Sequence, residues 1–235
     1  MDMMIIAHRA GTDRYPEQSL ASVRYSLSLG ADYAEVDVRF TKDGVPVVCH
    51  DSNTKRVFGQ DAEVANLTAG EFGTLRHVAD PSMETYTLER LFQAGLTPLL
   101  LHDKNYVPSQ LDAVLELIRK YGLTHKVILG MQTTESVLQI KEFDPKIRVL
   151  AFMPTVDDLD AFLACPFDII RLWEGWVTQE RFDRINEAGK RCWIMARGHE
   201  TGYTDLSNLQ VWKEMGADGV LLNEMEPLSG WLNQI

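Results

Sequence analysis

The stretch GADYAEVDVRFTKDGVPVVCHDS (residues 30–52) places two carboxylates, Glu35 and Asp37, two positions apart in an otherwise apolar run, and it closes on His50 and Asp51. Strict alternation of residue character over 33–39 predicts a β-strand. Successive strand side chains point to opposite faces, so Tyr33, Glu35, Asp37 and Arg39 share one face and Ala34, Val36 and Val38 the other. The apolar face belongs against helices, which turns the charged face toward the inside of a closed sheet. Ionised carboxylates there are costly unless something positive lies between them, and a divalent cation with oxygen ligands is the simplest remedy. An isolated Glu-x-Asp on a strand is more often a solvated face, so the rest of the chain has to decide.

Seven further short apolar runs recur along the 235 residues: MIIAH (4–8), PLLLHD (98–103), KVILGM (126–131), RVLAFM (148–153), FDIIRL (167–172), RCWIMA (191–196) and DGVLLN (218–223). Between them lie stretches of helical period, such as EQSLASVRYSLSLG from Glu17 and SQLDAVLELIRKYG, in which Leu111, Val114, Leu115 and Ile118 form one stripe. Eight strand–helix units predict an α/β fold of the (β/α)8 TIM-barrel type in a single domain over 1–235. Residues 40–97 break the rhythm. They contain a turn at Lys42-Asp43-Gly44, an extended run Val45–His50 and one helical segment at 87–95, and they read as an elaborated loop after the second strand. An open doubly wound sheet is the alternative, but HRAGTDRYPE follows the first strand where a glycine-rich phosphate loop would stand.

Composition excludes several function classes. The formal net charge of −11, with no basic run longer than two residues, argues against nucleic acid as partner. No apolar run approaches the length of a membrane span, so stable membrane insertion is not expected. Cys49, Cys165 and Cys192 form no CxxC pair and read as buried thiols of a reducing compartment, which with the absent leader pattern points to the cytoplasm. Oligomeric state is not legible.

Barrel active sites form at the C-terminal ends of the strands, and chemistry-bearing residues collect there. His8 and Arg9 end the first strand, offering a proton-transfer group beside a forked donor suited to phosphate oxygens. Glu17 is placed to hold Arg9, His50 folds back over the same rim, and Lys104 follows the third strand. Two histidines, two carboxylates, an arginine and a lysine fit metal-assisted attack on a phosphate ester.

The segment AHRAGTDRYPEQSLASVRYSLSLGADYAEVDVRFTKDGVPVVCHDSNTKRV resembles the glycerophosphodiester phosphodiesterase family. That family has HRG, PEN, GAD-x-x-E-x-D-V, TKDG and VV-x-HD segments in this order and spacing. The likeness is dense from Ile6 to Val57, with echoes in ANLTAGEFGTLR, TLERLF, Trp193 of CWIMA and the closing GADGVLLNEMEPL. It implies a TIM barrel that hydrolyses glycerophosphodiesters to an alcohol and glycerol 3-phosphate. Glu35 and Asp37 would bind Mg2+ or Ca2+, His8 and His50 would be general base and general acid, and Arg9 and Lys104 would contact phosphate. The alternatives are a phosphodiesterase of lysophospholipid or other headgroups, and a non-enzymatic glycerophosphate-binding barrel.

Three departures matter. The family's E-x-K on the third strand is His102-Asp103-Lys104, so His102 takes a metal-ligand position and admits a softer ion such as Mn2+ or Zn2+. Asp103 should point the other way unless the strand bulges. The HRG glycine is Ala10, followed by Gly11, and the family's WTVN and TD segments are WIMARG and Leu222-Asn223. Near that rim Arg171 and Arg197 end the sixth and seventh strands. Arg197 is expected to bind phosphate or a charged headgroup, and Trp193, with Trp173 and Trp176, to stack on a substrate moiety. His77, His125 and His199 read as surface residues.

Overall fold

Runs rich in Val, Ile and Leu are what a parallel sheet covered on both faces requires. The computed structural model describes residues 3–104 and 107–228, and it makes a strand of each of the eight runs. They are β1 (Met4–Ala7), β2 (Tyr33–Phe40), β4 (Leu99–Asp103), β5 (Val127–Met131), β6 (Arg148–Ala151), β7 (Ile169–Trp173), β8 (Arg191–Met195) and β9 (Gly219–Leu222). All pair in parallel, and β1 bonds to both β2 and β9, which closes the sheet into a TIM barrel. An additional strand, β3 (Pro46–Val48), runs antiparallel to the C-terminal half of β2. It is shorter than the extended run expected over Val45–His50.

Alternation along β2 divides the core as predicted. Ala34, Val36 and Val38 pack into the layer between sheet and helices, while Tyr33 joins Ile6, Leu100, Ile128, Leu150 and Trp193 inside the barrel. Helix α5 (Pro108–Lys120) buries Leu111, Val114, Leu115 and Ile118, the four residues of the predicted stripe. The β4 register is regular, pairing Asp37 with His102 and Val38 with Asp103, so Asp103 lies on the outward face with Val38.

Several expectations need correction. Helix α1 (Leu20–Ser28) does not begin at Glu17: Ser19 caps it by accepting a hydrogen bond from Ser22 N, and Gln18 takes a left-handed φ of 56°. Cap chemistry prevailed over the Pro-Glu helix-start signal. Residues 40–97 hold more than one helix, adding α2 (Lys55–Phe58) and α3 (Ala69–Phe72) to α4 (Leu88–Gln93). Four-residue helices are too short to show a period; α3 is set by a capping box between Thr68 and Glu71. This segment has its own small core of Val47, Cys49, Phe58, Val64, Phe72 and Leu75. His77 belongs to it, buried edge-on against Phe58 at 4.9 Å, and is not a surface residue. Cys49 and Cys192 are buried, but Cys165 is only partly so. Among the described residues no helix is long and apolar enough to cross a membrane.

Candidate active site

β2 and β4 place Glu35, Asp37 and His102 side by side at the C-terminal mouth of the barrel. All three are buried, and their ligand atoms lie within 4.8 Å of one another. His102 Nδ1 is 3.2 Å from Asp37 Oδ1 and 3.7 Å from Glu35 Oε1. Its ring stacks on Phe152 at 4.0 Å, and its Nε2 accepts from Gln132 Nε2 at 3.1 Å, which leaves the imidazole proton on Nδ1. Lys104 Nζ lies 2.9 Å from Asp37 Oδ1. Burial pushes the Asp37 pKa up, but Lys104 and then His102 more than offset it and hold the carboxyl well below the usual range.

Two backbone features deliver the remaining groups. After β1 the chain turns through a single 3-10 turn, His8–Ala10, in which Arg9 and Ala10 adopt φ of 50° and 64° before Gly11 at 81°. The turn aims Arg9 N at Glu35 Oε2, 2.7 Å away. A buried alanine thus stands in a left-handed conformation at the family's glycine position, a strain of about 1–2 kcal/mol. Gln18 supplies the second feature. Its Oε1 accepts from Asp37 N at 3.1 Å, its Nε2 donates to Asp37 Oδ2, and Tyr86 Oη donates to its carbonyl at 2.5 Å.

His8 Nδ1 donates to Asn223 Oδ1 at 2.6 Å, and Asn223 Nδ2 is fixed by Thr201 O at 2.9 Å. The amide orientation leaves Nε2 of His8 as the basic nitrogen. Burial lowers the His8 pKa against the opposing pull of Glu35, so the ring is neutral at neutral pH.

His50 sits in a closed ring of side chains. Arg9 Nη2 donates to His50 Nε2 at 2.9 Å, and His50 Nδ1 meets Asp51 Oδ1 at 2.6 Å. Arg56 Nε donates to Asp51 Oδ2 at 2.5 Å and Arg56 Nη2 to Glu17 Oε1 at 2.7 Å, and Glu17 Oε2 returns to Arg9 Nη1 at 3.3 Å. Arg39 Nε anchors the His50 carbonyl at 2.8 Å. Burial is the largest influence on His50 and lowers its pKa. Arginine is only a donor, so His50 Nε2 is an acceptor here and the proton is on Nδ1. Arg9 Nε is buried with no partner among the described residues.

The sequence-predicted residues His8, Arg9, Glu17, Glu35, Asp37, His50, His102 and Lys104 therefore gather at one end of the barrel, with the His50 imidazole on the Arg9 guanidinium. Arg197 lies apart, exposed above β8 with its guanidinium 4.9 Å from the Trp173 ring. Trp193 is a correction. It is fully buried inside the barrel, 5.8 Å from Tyr33 and against Gly219, so it fills core and has no face for a ligand. Gln18, Asp51, Arg56, Gln132 and Asn223 were missed as site residues. Gln18 carried a signal, since it occupies the third position of the PEN-like segment, and Asp51 another, in the HD pair. A cavity of about 770 Å3 between α1 and residues 69–90 contains none of the predicted site residues.

The sequence model of the Glycerophosphoryl diester phosphodiesterase family matches residues 8–159. The glycerophosphodiester phosphodiesterase of Caldanaerobacter subterraneus subsp. tengcongensis is 26% identical over 161 residues, which is 63% of this chain and 66% of that protein. Glycerophosphodiester phosphodiesterase 1 of Rattus norvegicus is 37% identical over 101 residues, 42% of this chain and 30% of that protein. The chain thus spans less than two thirds of the length of either relative. A phosphodiesterase structure from Oleispira antarctica, in complex with the product sn-glycerol-3-phosphate, superposes with a TM-score of 0.83 at 18% identity, covering 98% of this chain and 96% of that one.

Proposed function

Because the chain belongs to the glycerophosphoryl diester phosphodiesterase family, we propose that it hydrolyses glycerophosphodiesters to an alcohol and glycerol 3-phosphate by metal-assisted acid–base catalysis. The observation that carries this reading is the buried cluster of Glu35, Asp37 and His102 with His8 and the Arg9–His50 pair on the same rim. The Oleispira relative's bound product supports the substrate class.

The donor set fits a divalent ion. Two buried carboxylates and an imidazole within 4.8 Å of one another suit Mg2+ or Ca2+ less than an ion that accepts nitrogen, such as Mn2+ or Zn2+. Offering Nδ1 to such an ion requires His102 to carry its proton on Nε2, with the Gln132 amide turned to accept it. A cation held by Glu35, Asp37 and His102 would polarise a phosphoryl oxygen and neutralise charge that develops there.

This chain's residues supply the remainder. Arg9 and Lys104 hold the other phosphate oxygens, and the unpartnered Arg9 Nε is ready for one of them. His8 takes a proton on Nε2 from the attacking nucleophile, either water or a neighbouring substrate hydroxyl whose cyclic phosphate water then opens, while Asn223 keeps its ring oriented. His50 must carry a proton on Nε2 to protonate the leaving alkoxide, yet Arg9 occupies that nitrogen. Phosphate drawing Arg9 away from His50 therefore couples substrate binding to arming the acid. Glu17, shared by Arg9 and Arg56, sets how far Arg9 travels.

The test is release of free alcohol and glycerol 3-phosphate from a glycerophosphodiester, with Mg2+, Ca2+, Mn2+ and Zn2+ supplied in turn. His8→Ala and His50→Ala should each lower kcat by about 10²–10⁴ in protein that still folds. No turnover with any of the four ions, or wild-type rates in either variant, refutes the proposal.

A further inference from the structure

The mouth has a second wall that the chemistry above does not use. In the closed strand order β1-β2-β4-β5-β6-β7-β8-β9, strand β7 lies diametrically opposite β2. Ile169, Arg171 and Trp173 share the inward face of β7, because Ile169 belongs to the cluster inside the barrel and Trp173 packs against it. Arg171 is buried, and its Nε and Nη1 have no hydrogen-bond partner among the described residues. Aromatic rings surround the guanidinium instead, with Trp173 at 4.1 Å, Phe152 at 5.3 Å and Trp176 at 5.5 Å. Phe152 also stacks on His102, so Arg171 and the candidate metal cluster are one ring apart.

A second guanidinium, that of Arg197, approaches the same Trp173 ring. Glu174, beside Trp173, forms no ion pair with either guanidinium among the described residues. Glu174 spends its carboxylate on Arg197 N at 2.6 Å, Thr204 Oγ1 at 3.0 Å and Asn208 Nδ2 at 3.3 Å. The adjoining cavity of about 520 Å3 is lined by Trp173, Trp176, Arg197 and one exposed carboxylate, Glu200. Burial, and then the charge of Arg197, pushes the Arg171 pKa down to about 9, as expected of a cation with no counter-charge. A buried cation with empty donors is costly, and an anion that reaches it recovers that cost.

We propose that Arg171, assisted by Arg197, receives a carboxylate or phosphomonoester carried on the alcohol arm of the diester. This rests on the reaction proposed above. Glycerol is uncharged, so a charge-reading wall opposite the phosphate site serves the other arm. Aromatic surfaces of this kind can cage a quaternary ammonium, but here they already face the protein's own cations, which disfavours choline. An Arg-carboxylate pair is directional and bidentate, so it sets headgroup preference.

Glycerophosphodiesters of glycolate, ethanol and choline present a carboxylate, a neutral end and a cation at similar size. Calorimetric binding and kcat/KM are measured for all three on the wild type, Arg171→Gln, Arg171→Lys and Arg197→Gln. The wild type should favour the glycolate ester over the choline ester by about tenfold or more. Arg171→Gln should bring that ratio toward one and Arg171→Lys should keep part of it. If Arg171→Gln does not fold, the exposed Arg197 still tests the ratio through Arg197→Gln. Equal or choline-favouring ratios in the wild type, or a ratio unmoved by both glutamine variants, overturn the proposal. Preferential binding without turnover would sink the reaction and uphold the subsite, whereas turnover without charge preference would do the reverse.

Discussion

Replacing Gly130 by alanine asks whether His102 is held in place by packing. Gly130 pairs with His102 across β4 and β5, and a methyl on its Cα would lie 2.3 Å from Phe152 Cε2 and 2.7 Å from Cδ2. Carbon atoms rest about 3.5–4.0 Å apart, so the phenyl ring would have to retreat by about 1 Å or more. It has little room to do so, being 6% exposed and stacked on the imidazole with ring planes 21° apart. Overpacking costs about 1–3 kcal/mol, and loss of the ring stack about 0.5–1.5 kcal/mol. For a chain of this length the two together correspond to a melting temperature lower by about 5–15 °C. With its imidazole unseated, the protein should also bind Zn2+ or Mn2+ about tenfold more weakly. Scanning calorimetry gives the first quantity and isothermal titration the second. Adding Phe152→Ala makes space for the methyl, so the double variant should show a coupling of about 1 kcal/mol or more. A Gly130→Ala protein that melts within about 1 °C of wild type and keeps its ion affinity would show that the stack does not position His102.

Three further outcomes follow from the site. His8 must be neutral to accept a proton and burial lowers its pKa, so the acid limb of kcat/KM that it sets should be centred below pH 6.5; an acid limb centred at or above that value would remove His8 as base. His102→Glu makes the donor set all oxygen, so calorimetry should show Zn2+ affinity falling and Mg2+ or Ca2+ affinity rising; unchanged selectivity would mean that His102 is not a ligand. Tyr86→Phe strips the Gln18 carbonyl of its buried donor and should cost about 1–3 kcal/mol in urea denaturation. A loss under about 0.5 kcal/mol would show that this bond does not hold Gln18.

Periodicity made the barrel legible, because strands covered on both faces must be apolar whatever their partners. The same alternation exposed Glu35 and Asp37, since charge on the inward face contradicts the pattern around it. Residues whose roles depend on distant partners left no such mark. Asn223 meets His8 from the far end of the chain, and Gln132 meets His102 across a strand pair. Arg56 rides on a helix too short for periodicity, and Gln18 takes its left-handed turn just ahead of the Ser19 cap. Trp193 misled for the opposite reason. An indole near a strand end suggests a binding face, but the residue opposite it across the β8–β9 pair is Gly219, whose missing side chain makes room for the ring to lie in the interior.

The five-membered ring of Glu17, Arg9, His50, Asp51 and Arg56 joins two pieces of chain that the strand ladder connects only through β2 and β3. The cluster of Glu35, Asp37 and His102 belongs wholly to the barrel wall, whereas His50, one of the two proposed proton carriers, arrives on the inserted segment. Metal capture and acid catalysis can therefore be inherited, lost or transplanted separately. A descendant that trimmed residues 50–56 would, on the proposed mechanism, keep the ion-binding vessel and forfeit hydrolysis.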